Sequence, residues 1–593
     1  MHVSRFLPRK GGVYACLILL CLFFFVCGFF YKKSIEADHV EAPIVSLVDL
    51  TDFNIATSVD KITIDLGKVY FAKVAFNVDA ANSGSKIRLK LRESSEPEPL
   101  PSIGAERIGV RFYDTEIALK KGSQPVALPP EDARLMPSDI GSVMPFRYID
   151  IYGWKGDFSK QSISIQYARS SAFQQQGKIS FTGDSSALEL DRIMRLMDHT
   201  MMATSFAGIF VDGDRERLPY EADAYINMLG WFAQVGEVSV PRRTFEFLVK
   251  NPTWPTEWQS HMILMAWADF MQTGDKEFLR THYAWLKLLT LKDAISETGM
   301  VDISKIKPEL KKALKVTYPM GDLVDWPPSQ RDGHEMVANN TVTNAFVYES
   351  MLRMADIAHA LDEESDRQFF TEQAEKLKAA IRGKVTLSNG LFSDGIGSSH
   401  TSAHSLFVPL DFGLVNEDER QLFVTEIKKK ITAYGGGFPS SVFAAQYLLE
   451  ALFKMGEDDL ALSLILNESD RGWLNMLNKY DATITHEAWD VKFKDNEDWT
   501  HAWGAAPANI IPRYLLGVRP TKAGWQNWEL APSRALRFSA VATLPTPKGN
   551  IFLNFDYPKR LINVTVPVGS SAKFIHNGQS TELGSGQHQL DWK

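Results

Sequence analysis

Apolar and polar positions alternate along residues 59–170, as in Ile62-Thr63-Ile64-Asp65-Leu66, Ile87-Arg88-Leu89-Lys90-Leu91 and Tyr148-Ile149-Asp150-Ile151-Tyr152. This is the period of strands with one polar face. It predicts an antiparallel β-sandwich, with the Pro- and Glu-rich stretch from Glu96 to Pro101 as a long inter-strand loop. From residue 186 to residue 516 the period becomes helical. Ser186-Ala187-Leu188-Glu189 reads as a capping box ahead of Leu190, Ile193, Met194 and Met197 on one face, and Val347, Met351, Met354, Ala358 and Leu361 form another such stripe. The region has room for about twelve helices of ordinary length, and paired helices closing into an α/α barrel are the expected arrangement. An α-solenoid is the rival, but no fixed period of self-similarity appears. After Pro520 strands return, with Ile562-Asn563-Val564-Thr565-Val566 alternating and residues 550–557 rich in strand formers. The expected order is a segment over residues 1–33, a linker over 34–58, a β-sandwich over 59–170, a helical barrel over 171–516 and a small β-domain over 517–593.

The first segment changes the picture of where the chain works. Residues 11–31 carry no charge, with Arg5, Arg9 and Lys10 before them and Lys32 and Lys33 after. That span is long enough for a bilayer. A retained signal anchor, a cleaved signal peptide and a lipid-modified Cys27 are the three readings, and each leaves the basic flank inside and exports the rest to a periplasmic or cell-surface location. All three cysteines, Cys16, Cys21 and Cys27, lie within this span. The remainder therefore has no disulfide, no cysteine metal site and no thiol nucleophile. A net charge of −8 without a basic stripe makes nucleic acid an unexpected partner.

Two segments concentrate chemistry. One is Asp212-Gly213-Asp214-Arg215-Glu216-Arg217-Leu218-Pro219-Tyr220-Glu221-Ala222-Asp223, where charges crowd between a Gly and a Pro after an apolar run. Such a loop entering a helix can raise one carboxyl while arginines hold others ionised; an exposed loop with local ion pairs is the plainer alternative. The other is Thr485-His486-Glu487-Ala488-Trp489-Asp490, followed by His501-Ala502-Trp503-Gly504. Glycosidic hydrolysis needs one carboxyl to protonate the leaving oxygen and a second across the ring, and flat indoles give sugars a surface to stack on. Two turn-rich segments place Trp254, Trp258 and Trp326 beside acids, as site walls or as plugs between helices. No His-Glu-x-x-His, EF-hand, phosphate-cradle or Gly-x-Ser-x-Gly pattern occurs, so no metal and no cofactor are expected.

The segment from Asp212 to Asp223 resembles the signature of glycoside hydrolase family 78, the α-L-rhamnosidases, Asp-Cys-Pro-Gln-Arg-Asp-Glu-Arg-Leu-Gly-Trp-Thr-Gly-Asp. It is two residues shorter between Asp212 and Glu216, and Tyr220 stands where the family has Trp. Glu487-Ala488-Trp489-Asp490 is similar to the family's Glu-x-Trp-Asp, and His501-Ala502-Trp503-Gly504 to its His-Ala-Trp-Gly. Trp258 and the loop from Asp322 to Trp326 resemble its indole-bearing segments. Pro512-Arg513-Tyr514-Leu515-Leu516-Gly517 resembles the join to its C-terminal β-domain. The resemblance spans residues 59–593. It implies an N-terminal β-sandwich, a central (α/α)6 barrel and a small C-terminal β-domain. It further implies Glu216 as general acid and Glu487 as general base in an inverting hydrolysis of rhamnose-containing carbohydrate. The sugar would be held by Asp212, Arg215, Tyr220, Asp223, Trp258, Trp326, Trp489 and His501. Inversion places the carboxyls about 6.5 to 9.5 Å apart. Another α/α-barrel carbohydrate enzyme, such as an unsaturated glucuronyl hydrolase, and a non-catalytic sugar-binding surface protein are the alternatives. Paired glutamates favour hydrolysis over elimination, which needs a basic or aromatic proton abstractor.

Overall fold

The computed structural model describes residues 45–96, 109–254, 256–316 and 321–592. The apolar span over residues 11–31 lies outside them, as does most of the loop expected from Glu96 to Pro101. Among the described residues no helix is long and apolar enough to cross a membrane.

The N-terminal sandwich is built from β1 (Val45–Asp49), β2 (Asn54–Thr57), β3 (Ile62–Val78), β4 (Lys86–Arg92), β5 (Phe112–Ala118), β6 (Gly122–Pro125), β7 (Met144–Tyr152) and β8 (Ile163–Ser170). The strand order is β1-β8-β3-β7-β4-β5, with β2 and β6 also on β3. The 17-residue β3 can serve so many partners because its register with β7 slips between Asp65 and Tyr70. Gly67 sits at the slip with a φ of 74° and donates its N–H to Asp65 Oδ1 at 2.8 Å. Such a bulge bends and twists its strand. The alternating apolar positions are the buried ones: Ile64, Val74 and Phe76 on β3, Ile87, Leu89 and Leu91 on β4, Ile149 and Ile151 on β7. Of the linker expected over residues 34–58, the part from residue 45 onward is instead part of the sheet domain, because β1 pairs with β8 and Val45 and Leu47 pack on the Phe71 and Phe206 cluster. Strands of four or five residues leave too short a pattern to read.

After β9 (Lys178–Thr182) come α1 (Ser185–Thr204), α2 (Glu221–Gln234), α3 (Ser239–Lys250), α4 (Glu257–Thr273), α5 (Lys276–Leu289), α6 (Pro308–Ala313) and α7 (Thr341–Ala360). They are followed by α8 (Glu364–Val385), α9 (His404–Asp411), α10 (Arg420–Ala433), α11 (Ala445–Lys454), α12 (Asp458–Ile465), α13 (Trp473–Tyr480) and α14 (Pro507–Ile510). Helices α2, α4, α7, α9, α11 and α14 pack each on the next, and α14 returns to α2. This closed inner ring of six is an (α/α)6 barrel. Patterning explains which helix lies where: every residue of inner α9 is buried, whereas outer α10 buries only Phe423, Val424, Ile427 and Ile431, a single stripe. The start of α1 differs from the capping box expected at Ser186. Asp184 is the N-cap, accepting from the Ala187 N–H at 3.2 Å, and Asp caps as well as Ser does.

The C-terminal part holds β10 (Val518–Pro520), β11 (Asn527–Leu530), β12 (Ser539–Leu544), β13 (Ile551–Asp556), β14 (Leu561–Val566), β15 (Ser571–His576), β16 (Gln579–Leu583) and β17 (Gly586–Asp591). They form two sheets, β10-β11-β15-β16 and β17-β14-β13-β12-β9. β9 precedes the barrel in sequence but joins the second sheet, with Ile179 opposite Ala542 and Phe181 opposite Ala540. The chain thus enters the barrel from the five-stranded sheet, through β9, and leaves it into the four-stranded one, through β10.

Candidate active site

The loop leading into α2 is folded on itself. The Asp212 N–H donates to the Leu218 carbonyl at 2.8 Å and the Leu218 N–H to Asp212 Oδ1 at 2.9 Å, leaving Glu216 at the tip. Arg217 adopts a φ of 51°, a region costly for a residue with a Cβ. Its buried guanidinium is held by Asp214 and by the carbonyls of Asp132 and Val143, and lies 5.7 and 5.4 Å from the ring centroids of the stacked Phe71 and Phe206. The sandwich therefore fixes the loop.

A second loop, between α13 and α14, interlocks with the first. Asp498 Oδ2 accepts from the Arg215 N–H at 2.7 Å, Thr500 Oγ1 accepts from the Asp214 N–H at 2.9 Å, and the Glu487 N–H donates to the Asp498 carbonyl at 2.8 Å. A Cβ at Gly213 would lie 2.5 Å from Asp498 Oδ2, so the close approach requires glycine there.

Glu216 and Glu487 face one guanidinium. Arg215 Nη2 lies 2.9 Å from Glu487 Oε1 and 3.4 Å from Glu216 Oε1, so those oxygens are at most the sum of the two distances, 6.3 Å, apart, just short of the about 6.5 to 9.5 Å expected for inversion. Their settings differ. The Glu216 side chain is 38% exposed and accepts from the Tyr220 hydroxyl at 2.5 Å. Glu487 is 3% exposed and is also contacted by Lys494 Nζ and the Asp498 N–H, each at 3.1 Å. Burial alone would raise the Glu487 carboxyl, but Arg215, Lys494 and His501 outweigh it and hold the group below its usual range. For Lys494 burial wins instead and lowers the ammonium, because Arg215 repels it as Glu487 attracts it.

Around this pair, His501 donates from Nε2 to Asp223 Oδ1 at 2.9 Å. Burial opposes its charge, yet Asp223 and Glu487 push the imidazolium up to about 9, and Nδ1 has no partner among the described residues. Burial raises Asp223 despite that bond, and burial together with the nearby Glu216 raises Asp212 far above the carboxylate range. The site so combines a carboxylate held low, an imidazole held high and an Asp212 carboxyl pushed up by burial.

Of the expected residues, the structure brings Asp212, Arg215, Glu216, Tyr220, Asp223, Glu487 and His501 together. Half-buried Trp326 lies on a loop that reaches the Glu487 side through the Ser329 hydroxyl, which donates to the Phe493 carbonyl at 2.9 Å. Trp258 is instead buried 4.8 Å from the Phe443 ring, and Trp489 is wholly buried, stacked 4.8 Å from Phe438 with its N–H on the Ser440 carbonyl. Neither indole offers a face to a sugar; both pack the barrel. Residues missed in the sequence are Lys494 and Asp498, whose motif neighbours drew attention instead; Trp503, quoted in its motif without a role, donates its N–H to the Glu487 carbonyl at 3.0 Å.

A closed ring of six helix pairs with two acidic residues converging over one end is the build of an α/α-barrel glycosidase. A family model described as the bacterial alpha-L-rhamnosidase 6 hairpin glycosidase domain matches residues 179–515, and the chain belongs to that family. A curated alpha-L-rhamnosidase from Formosa agariphila is 23% identical over 379 residues, 60% of this chain and 38% of that protein. Among solved structures, the α-L-rhamnosidase of Aspergillus terreus has a TM-score of 0.75 at 17% identity, over 92% of this chain and 64% of that one. The Streptomyces avermitilis α-L-rhamnosidase, solved with L-rhamnose, has a TM-score of 0.71 at 16% identity, over 92% and 53%. The chain spans less than two thirds of the length of each of these relatives.

Proposed function

We propose that this protein is a glycoside hydrolase that releases terminal α-L-rhamnose from rhamnosylated saccharides with inversion. Glu216 acts as the acid and Glu487 as the base. The observation that carries the reading is the single Arg215 guanidinium shared by the two carboxyls. One side of that contact is a half-open acid that solvent can reload, and the other is a buried carboxylate kept ionised. Glu216 protonates the glycosidic oxygen as the bond breaks. Glu487 removes a proton from the water that attacks the anomeric carbon from the opposite face of the ring. His501, Asp223 and Asp212 hold ring hydroxyls. Trp326 supplies an apolar wall.

Replacing Glu216 by Gln should slow hydrolysis of alkyl or sugar rhamnosides on the order of 10² to 10⁴-fold while sparing aryl rhamnosides with good leaving groups. Glu487→Gln should depress both. Proton NMR of the first-formed product anomer tests inversion. A Glu487→Gln enzyme with near wild-type rates on every substrate removes Glu487 from the role of base.

The same proposal extends to location. The uncharged span over residues 11–31 and its basic flank support a periplasmic or surface protein held to, or routed through, the membrane.

A further inference from the structure

The other end of the barrel carries a second cavity of about 390 Å³, between the C-terminal halves of inner helices and the start of the C-terminal sheets. At the start of α4, Glu257 accepts from the Leu323 N–H at 2.6 Å on the Trp326 loop, and the cavity residues Leu264, Trp267 and Met271 follow about 10 to 20 Å further along the axis at 1.5 Å per residue. A plug of rings fills the space between. Trp258 packs 4.8 Å from Phe443, and His261 lies 4.9 Å from Phe346, itself 5.1 Å from Tyr447. The cavity is thus separate from the carboxyl pair described above.

Its lining combines flat rings with charges that cancel. Trp267, Tyr514 and Trp525 contribute rings, with Leu229 and Met271 beside them. Arg353 Nε lies 2.9 Å from Glu349, Arg513 Nη1 is 2.7 Å from Glu450, and Lys454 Nζ is 2.6 Å from Asp411 Oδ1. Arg519, also in the lining, has its Nε 2.6 Å from Glu529 Oε1, so each cation of the wall has a carboxylate beside it. Partly buried ion pairs contribute little net stability by themselves, and several of them around an open space call for another reason. Asp411 Oδ2 is buried at this wall without a hydrogen-bond partner among the described residues. Burial pushes the Asp411 carboxyl up to about 7, whereas for neighbouring Glu450 the cations Arg513 and Lys454 overcome burial and bring it to about 2. One acid is therefore available as donor or acceptor beside one that is ionised and saturated. The Lys454 side chain is 37% exposed, which gives solvent a way in.

We infer that this cavity is a second binding site for a neutral, monosaccharide-sized sugar ring, whose apolar face lies against the indoles and whose hydroxyls meet the paired charges. The volume falls within the range of small-ligand pockets, about 300 to 1,000 Å³. Neutral polyols suit a wall with many donors and acceptors whose cations are already paired, and ring faces suit indoles. The inference is independent of the hydrolytic reading except in the choice of L-rhamnose as first probe.

Isothermal titration of the full chain with L-rhamnose and with other neutral monosaccharides tests it. At least one sugar should bind in two events. One event should weaken tenfold or more in Ala268→Phe, which fills the cavity, and in Asp411→Asn, which preserves its shape. Hydrolysis of an aryl rhamnoside by these variants should stay within twofold of wild type. A single event unchanged by both substitutions overturns the inference. So does a cavity that takes up an apolar dye which no sugar displaces. Loss of the cavity event in a protein that cleaves no rhamnoside would leave this site standing and refute the proposed function instead.

Discussion

Removing the guanidinium between the two glutamates tests the electrostatic logic of the site most directly. In Arg215→Met the hydrocarbon stem remains, but Glu487 keeps only Lys494 and the Asp498 N–H as partners, both at 3.1 Å. Arg215 and Glu487 are 13% and 3% exposed, so solvent screens the contact little. Removing one partner of a buried pair costs about 3 to 5 kcal/mol, and the surviving ammonium argues for the low end, about 3 kcal/mol. The sign with pH follows from the depressed Glu487 carboxyl. Its stabilising contribution is complete above the ordinary value of 4.5 and is lost as pH falls through the folded value. The destabilisation by Arg215→Met should therefore be largest near neutral pH and shrink below about 4.5. Urea unfolding followed by tryptophan fluorescence across that range measures it. Combining the substitution with Glu487→Gln closes a double-mutant cycle, with an expected coupling of about 1 to 3 kcal/mol. Equal costs of Arg215→Met in both backgrounds would refute the claim that the guanidinium acts through Glu487. The acidic limb of kcat/KM should also move to higher pH in the single variant.

Three further outcomes are expected. The His501 imidazolium is raised from 6.5 to about 9, so its contribution is complete below pH 6.5 and lost as pH rises through about 9; thermal midpoints should fall across that window and flatten in His501→Asn. Trp489→Ala should cost about 3 to 5 kcal/mol of stability through the void it leaves, whereas Trp489→Phe should fold with an unchanged KM, since the indole faces Phe438 and Trp473. Cell fractionation and N-terminal sequencing should find the protein outside the cytoplasm; an intact, soluble cytoplasmic chain would contradict the reading of residues 11–31.

The sequence by itself determined the order of strand and helix regions, because periods of two and of three to four residues follow from backbone geometry and survive in any well-packed core. It also singled out Glu216 and Glu487 as candidates, since crowded charge beside Gly213 and Pro219, and an acid among indoles, are local features, and the resemblance implied their roles. It could not separate Trp326, half-exposed on its loop, from Trp258 and Trp489, buried against Phe443 and Phe438. An indole's burial depends on what the other helices bring to it. Nor could it reveal that Arg215 bridges carboxyls 271 positions apart in the chain, or that Lys494 and Asp498 secure them. Those contacts arise only when the ring of inner helices closes and sets the loop before α2 against the loop before α14, a long-range juxtaposition with no trace in either loop alone.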